Sequence, residues 1–115
     1  MKSIYLSGPM SGLPELNYPA FNAEAQRLRA LGYHVENPAE NHKPACGSRE
    51  GYMRYAIAQM MTCDAIAHLP GWMESRGATI EHELARRLKM EILPAALIQH
   101  EYVEPNPLPK IGGAL

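Results

Sequence analysis

The feature that most constrains this chain is a repeated alternation of short β-prone runs with longer stretches of helical spacing. "SIYL", Ser3 to Leu6, is an apolar strand-like run closed by Gly8 and Pro9. Pro19 suits the first turn of a helix, where its fixed φ and missing N–H cost nothing. Phe21, Ala25, Leu28 and Leu31 then recur at helical spacing until Gly32 stops the helix. "YHVEN" is a second strand, ended by Pro38. Ala39 to Arg49 is polar and holds Pro44 and Gly47, so it reads as a surface loop. Tyr52 to Thr62 is a second helix with Met53, Ile57, Met60 and Met61 on one face, a methionine cluster suited to core filling. "DAIAHL" is a third strand, and Ala78 to Lys89 a third helix expected to bury Ile80, Leu84 and Leu88. "EILPAALI" holds a fourth strand, with Pro94 restricting its pairing. The tail after His100 carries Pro105, Pro107 and Pro109 and is expected to lie extended on a surface or a partner subunit.

Strands alternating with helices imply a parallel sheet covered on both faces. The expected class is therefore α/β, a three-layer flavodoxin- or Rossmann-like fold with a parallel sheet of four or five strands. Right-handed crossovers favour the order 2-1-3-4. The 115 residues suit one domain over 1–115, with about 100–115 as the Pro-rich tail. A chain of this size buries roughly two-thirds of its unfolded surface and needs no staples. Such sheets bind ligands beyond the carboxyl ends of their strands. Two segments reach that rim: "SGPMSG" after strand one and "PGWMESRGA" after strand three.

Composition narrows the function. A net charge of −1 supplies no basic footprint for DNA or RNA. The N-terminal apolar run is too short for a signal peptide, and no run approaches a membrane span. Cys46 and Cys63 make no disulfide framework and fit a reducing compartment, so a cytoplasmic location is expected. CxxC and HExxH are absent; His42 and Cys46, four apart in a polar loop, read as exposed loop residues. Neither a metal nor a cofactor is expected.

In "SGPMSG", Ser7, Gly8, Pro9, Met10 and Ser11 lie between a strand and a helix. Small residues there let backbone N–H groups and hydroxyls approach a phosphate. The segment is neither a Walker A loop nor a GxGxxG fingerprint, and by itself a plain turn explains it. "ESRGATIE" opens a helix: Ser75 can cap it, Gly77 leaves room for a close approach, and the helix end favours an anion. Glu81 is either an ordinary acidic residue of an early turn or a carboxylate kept ionised by that helix end and facing the crevice. In the second case it can attack an anomeric carbon. Trp72, the only tryptophan, can stack on a base or cover the sheet edge, with Gly71 and Arg76 beside it. His82 should point about 100° away from Glu81 around the helix, which argues against a Glu–His dyad. His68, in or at the end of strand three, reads as a satisfied structural histidine, and Asp64 as structural.

"YLSGPMSGLPELNYPAFNAEAQRLRALGYHVENPAE" and "CDAIAHLPGWMESRGATIEHELARRLKMEI" resemble a family of small bacterial and phage proteins, itself similar to nucleoside 2-deoxyribosyltransferases and 2-deoxynucleoside 5-monophosphate N-hydrolases. The resemblance covers nearly all of residues 3–98. It implies a phosphate or sugar loop at Tyr5 to Ser11, a phosphate-binding serine at Ser75 and a nucleophilic glutamate at Glu81, in the pattern Ser-x-Gly-x-x-x-Glu. It further implies cleavage of an N-glycosidic bond, a nucleotide or nucleoside monophosphate as ligand, and a homodimer or higher homo-oligomer. The base is expected near Tyr5 or Trp72. One position departs from the pattern: the resembled enzymes carry an aspartate in the helix before "CDA", where this chain has Ala56. Hydrolysis, glycosyl transfer and nucleotide binding without turnover therefore all stay open, with a structural oligomer holding a vestigial pocket as a weaker reading.

Overall fold

The fold is that of a computed structural model describing residues 2–42 and 47–104. Four strands, β1 (Ser3–Ser7), β2 (His34–Glu36), β3 (Ala65–His68) and β4 (Glu91–Pro94), alternate with three helices, α1 (Tyr18–Ala30), α2 (Arg49–Met60) and α3 (Arg76–Arg87). The strands form one sheet in the order β2-β1-β3-β4. All three pairings are parallel, with Ile4 opposite both Val35 and Ala65, and Ala65 opposite Glu91. The three-layer α/β class and the strand order read from the alternation are both observed.

Alternation within the central strands sorts the core. Ile4 and Leu6 of β1 and Ala65 and Ala67 of β3 pack with Phe21, Ala25 and Leu28 of α1. Tyr5 and Ile66 point the other way and pack with Met60 of α2 and Ala85 of α3. Both central strands are buried on both faces, which is why they read as continuous apolar runs.

Helix ends follow their caps. The Ser48 hydroxyl accepts from the Gly51 N–H at 2.9 Å, so α2 starts at Arg49, inside what the sequence presents as loop. Ser75 starts α3 two residues before the expected Ala78. Gly32, at φ 96°, ends the turn after α1. Pro94 is the last residue of edge strand β4, where its missing N–H costs little.

Two expectations need correction. The sheet-facing residues of α3 are Ala78, Glu81 and Ala85, whereas Ile80 and Leu88 are exposed and Leu84 is half-buried. Small residues sit beneath this helix because a carboxylate occupies the middle of its inner face. On α2, Met60 is buried and Met53 and Ile57 are half-buried, but Met61 lies past the helix end and is exposed. The described start of the tail lies on the surface of its own chain, one of the two expected places: the Tyr102 N–H donates to the Leu31 carbonyl at 2.8 Å, and the Tyr102 ring meets Tyr33 edge-on at 5.5 Å. Pro105, Pro107 and Pro109, with Pro44 and Cys46, lie outside the described residues.

Candidate functional site

β1 and β3 end side by side, with Ser7 opposite His68, and α3 crosses behind them. The loops that leave these two strands touch. A Cβ on Gly8 would lie 2.8 Å from the Leu69 Cβ, so only glycine fits there. Gly71 has φ 85°, and a Cβ on it would lie 3.4 Å from the Pro9 side chain. The Asn17 amide donates to the Pro9 carbonyl at 2.9 Å and fastens the first loop to the start of α1. Asn17 itself has a left-handed backbone, as do Glu15 and Leu16.

Beneath these loops lies a buried carboxylate. Glu81 is 6% exposed. The Tyr5 phenol donates to Glu81 Oε2 at 2.7 Å, and the Ser7 hydroxyl donates to Oε1 at 2.7 Å. Tyr5 and Ser7 are two apart in a strand, so both side chains face α3. Burial pushes the Glu81 carboxyl above the ordinary carboxylate range, and the two hydroxyls pull it back by favouring the charged form. Burial, followed by the Glu81 charge and hydrogen bond, holds the Tyr5 phenol well above its usual value. The expectation that the helix end keeps Glu81 ionised does not fit this geometry. Glu81 is the sixth residue of α3, beyond the first turn in which the dipole acts. The two hydroxyl donors favour the charged form, and burial outweighs them.

Three rings gather where β3 turns into α3. His68 Nε2 and His82 Nδ1 are 3.0 Å apart in a hydrogen bond. Trp72 stacks on both imidazoles, with centroids at 4.0 Å from His68 and 4.4 Å from His82. His68 is 4% exposed, and its Nδ1 has no hydrogen-bond partner among the described residues. His68, read as a satisfied histidine, is bonded at Nε2, and the Ser7 backbone lies against the ring. Burial above all, with His82 adding and the Ser7 backbone opposing, pushes His68 down to about 4. As the helical geometry requires, His82 turns away from Glu81, and it meets His68 instead.

The remaining candidates are placed as follows. The Ser75 hydroxyl accepts from the Ala78 N–H at 3.1 Å, so Ser75 is the N-cap of α3. A Cβ on Gly77 would sit 3.6 Å from Met53 Sδ, an ordinary contact, so no close approach demands glycine there. Met10 packs into the α1-side core, while Ser11, Gly71 and Arg76 are exposed on the rim. Asp64 binds the start of β1, accepting from the Ser3 N–H at 2.9 Å. Ala56 packs against the apolar cluster of Tyr5, Met60, Ile66 and Ala85. His42 is exposed.

Sequence reasoning singled out Tyr5, Ser7, Glu81 and Trp72 but gave Tyr5 and Ser7 to a ligand rather than to Glu81. It missed the ring cluster. The available signal was positional: a strand's last residue and a histidine early in the next helix meet where β3 turns into α3. An open groove of about 660 Å³ lies elsewhere, between α2 and the β2 edge, lined by Ser3, His34, Glu36, Tyr55 and Gln59 among others. Among the described residues, no group of three or more His, Cys, Asp or Glu is placed to hold a metal ion, and no helix is long and apolar enough to cross a membrane.

Residues 2–94 match the family described as "Domain of unknown function (DUF4406)", and the chain belongs to that family. No curated protein matches the chain. The family description names no activity, so function rests on the chemistry of the site.

Proposed function

We propose that this protein cleaves the N-glycosidic bond of a nucleotide or nucleoside, by hydrolysis or by transfer of the sugar, with Glu81 as the nucleophile. The observation that carries this reading is the pair of 2.7 Å hydrogen bonds that fix both oxygens of a buried carboxylate at the carboxyl end of a parallel sheet. A buried carboxylate without donors would be protonated and inert. One donor on each oxygen favours the ionised form and fixes its orientation, and each oxygen keeps a lone pair. An oriented carboxylate of this kind attacks C1 of a sugar through an oxocarbenium-like transition state, and water or a second acceptor then releases the glycosyl-enzyme.

The resemblance of Tyr5–Glu40 and Cys63–Ile92 to deoxyribosyltransferases and nucleotide N-hydrolases supports the same chemistry, because Ser75, Gly77 and Glu81 fall on their pattern. The ligand is then a nucleoside monophosphate or similar anionic nucleotide. Its phosphate would lie at the Gly8–Ser11 loop and the start of α3, in a homodimer or larger homo-oligomer.

One observation favours a second reading, nucleotide binding without turnover. Ala56, where the resembled enzymes carry an acid, packs against an apolar cluster. Incubation with a panel of ribo- and deoxynucleotides, following free base and thermal shift together, separates the two. Base release that disappears in Glu81→Gln supports the enzyme. A thermal shift with no base from any nucleotide leaves the binding module.

A further inference from the structure

We infer that His82 is the acid that protonates the departing base, with His68 as its positioning partner and Trp72 as the roof over both. This rests on the glycosidic reading above and assigns the proton-transfer step that Ala56 cannot perform.

Register and helix order set the geometry. Ser7 and His68 are neighbours across β1 and β3, and Glu81 and His82 are consecutive on α3. Two hydrogen-bonded links therefore join the ends of adjacent strands to one helix: Ser7 to Glu81 at 2.7 Å and His68 to His82 at 3.0 Å. Consecutive helical residues diverge by about 100°, so carboxylate and imidazole approach a ligand at the rim from different directions. Displacement at C1 requires this, because nucleophile and leaving group act on opposite faces of the sugar.

The two imidazoles differ in environment. Two imidazoles 3.0 Å apart do not both ionise. His68 is 4% exposed whereas His82 is half-exposed. Burial favours neutral His68, and in the proposed arrangement its Nε2 accepts from His82 Nδ1–H. His82 Nε2–H is then free to meet a ligand. With Nε2 as the acceptor, the neutral His68 tautomer carries its hydrogen on Nδ1, the buried nitrogen that has no partner among the described residues. Trp72, stacked on both rings, restricts their rotation.

The step balances as follows. A Glu81 carboxylate oxygen bonds to C1. The C1–N bonding pair leaves with the base, and the base nitrogen takes the proton from His82 Nε2. Neutral His82 then accepts a proton from the water that attacks C1, as the C1–O bond to Glu81 breaks. The net change is addition of water across the glycosidic bond.

The test compares two substrates that differ only in their need for a proton: a purine 2-deoxynucleoside 5-monophosphate and the matching 4-nitrophenyl deoxyriboside 5-phosphate. In the first turnover, before water attacks the glycosyl-enzyme, His82→Gln is expected to lower purine release by roughly 10²–10⁴-fold and to leave the nitrophenolate burst nearly unchanged. Added imidazole should restore purine release to His82→Ala, and His68→Gln should show the same split with a smaller loss. Equal losses on both substrates, or no loss on either, overturn the assignment while the glycosidic reading stands. Wild-type protein that releases nitrophenolate but no purine also overturns it, and leaves Glu81 as nucleophile. Wild-type protein that releases neither sinks the glycosidic reading itself.

Discussion

The Ser7 hydroxyl donates to Glu81 Oε1 at 2.7 Å across 74 residues of sequence, tying the end of the central strand to the inner face of α3. Tyr5 makes the matching bond to the other oxygen. The buried carboxylate thus serves the fold and, under the proposed function, the chemistry as well, and its variants should separate the two.

Glu81→Gln should abolish base release with the fold retained, because an amide fills the same space but cannot act as a nucleophile. Circular dichroism and free-base assay on the same sample check this. Residual release within a few-fold of wild type would remove Glu81 from the chemistry.

Ser7→Ala and Tyr5→Phe should each cost about 1–3 kcal/mol of stability, since each leaves a buried carboxylate oxygen without its donor. In the Glu81→Gln background the same changes should cost less, and the difference in a urea-denaturation double-mutant cycle measures the coupling. Additive costs would mean that these hydrogen bonds do not matter to the fold.

Stability should depend on pH through His68. Its folded value is about 4, below the ordinary value of 6.5, so the unfolded chain binds the proton more readily. This contribution is fully present above the unfolded value and is lost as pH falls from there toward 4, amounting to about 2–3 kcal/mol at the acid end. Glu81 has the opposite sign. Its folded value is raised, so its contribution is greatest at low pH and declines as pH rises through that raised value. Urea midpoints of wild type and His68→Gln at pH 7 and pH 4.5 isolate the first effect. A stability difference between the two proteins that is equal at both pH values would refute it.

Two glycines should behave differently. Gly8→Ala places a Cβ at 2.8 Å from the Leu69 Cβ and should destabilise by about 1–3 kcal/mol. Gly77→Ala meets only Met53 Sδ at 3.6 Å, in a helix, and should be neutral or stabilising by up to about 1 kcal/mol. Thermal midpoints report both. If Gly77→Ala keeps its stability but loses nucleotide affinity, a ligand passes close to that backbone.

Ser75→Ala loses the cap of α3, at a cost of about 1 kcal/mol. If a nucleotide phosphate also meets that hydroxyl, nucleotide affinity falls by a further factor that the cap alone does not explain. Ala56→Asp should destabilise, because the new carboxylate faces Tyr5, Met60 and Ile66. A gain in base release from that variant would show that the side chain reaches the ligand.

The sequence alone determined the layers and the strand order. Local apolar periodicity and turn residues mark where each element starts and stops, and the handedness of crossovers does the rest. Glu81 was legible for the same reason, as a carboxylate in a helix that follows a rim loop. What it touches was not. Hydroxyls on β1, 74 and 76 residues away, reach Glu81 only because β1 and β3 pair in one register and α3 crosses behind them. The buried face of α3 went the same way. A large apolar stripe, Ile80, Leu84 and Leu88, predicts the core side of an isolated helix, but the space beneath α3 holds Tyr5, Ser7 and the carboxylate, so small Ala78 and Ala85 turn inward. The His68–His82–Trp72 stack likewise depends on how a strand end, a loop and a helix converge. Residue spacing sets which groups share an element. Which groups share a hydrogen bond is decided by the packing of elements that the chain brings together from far apart.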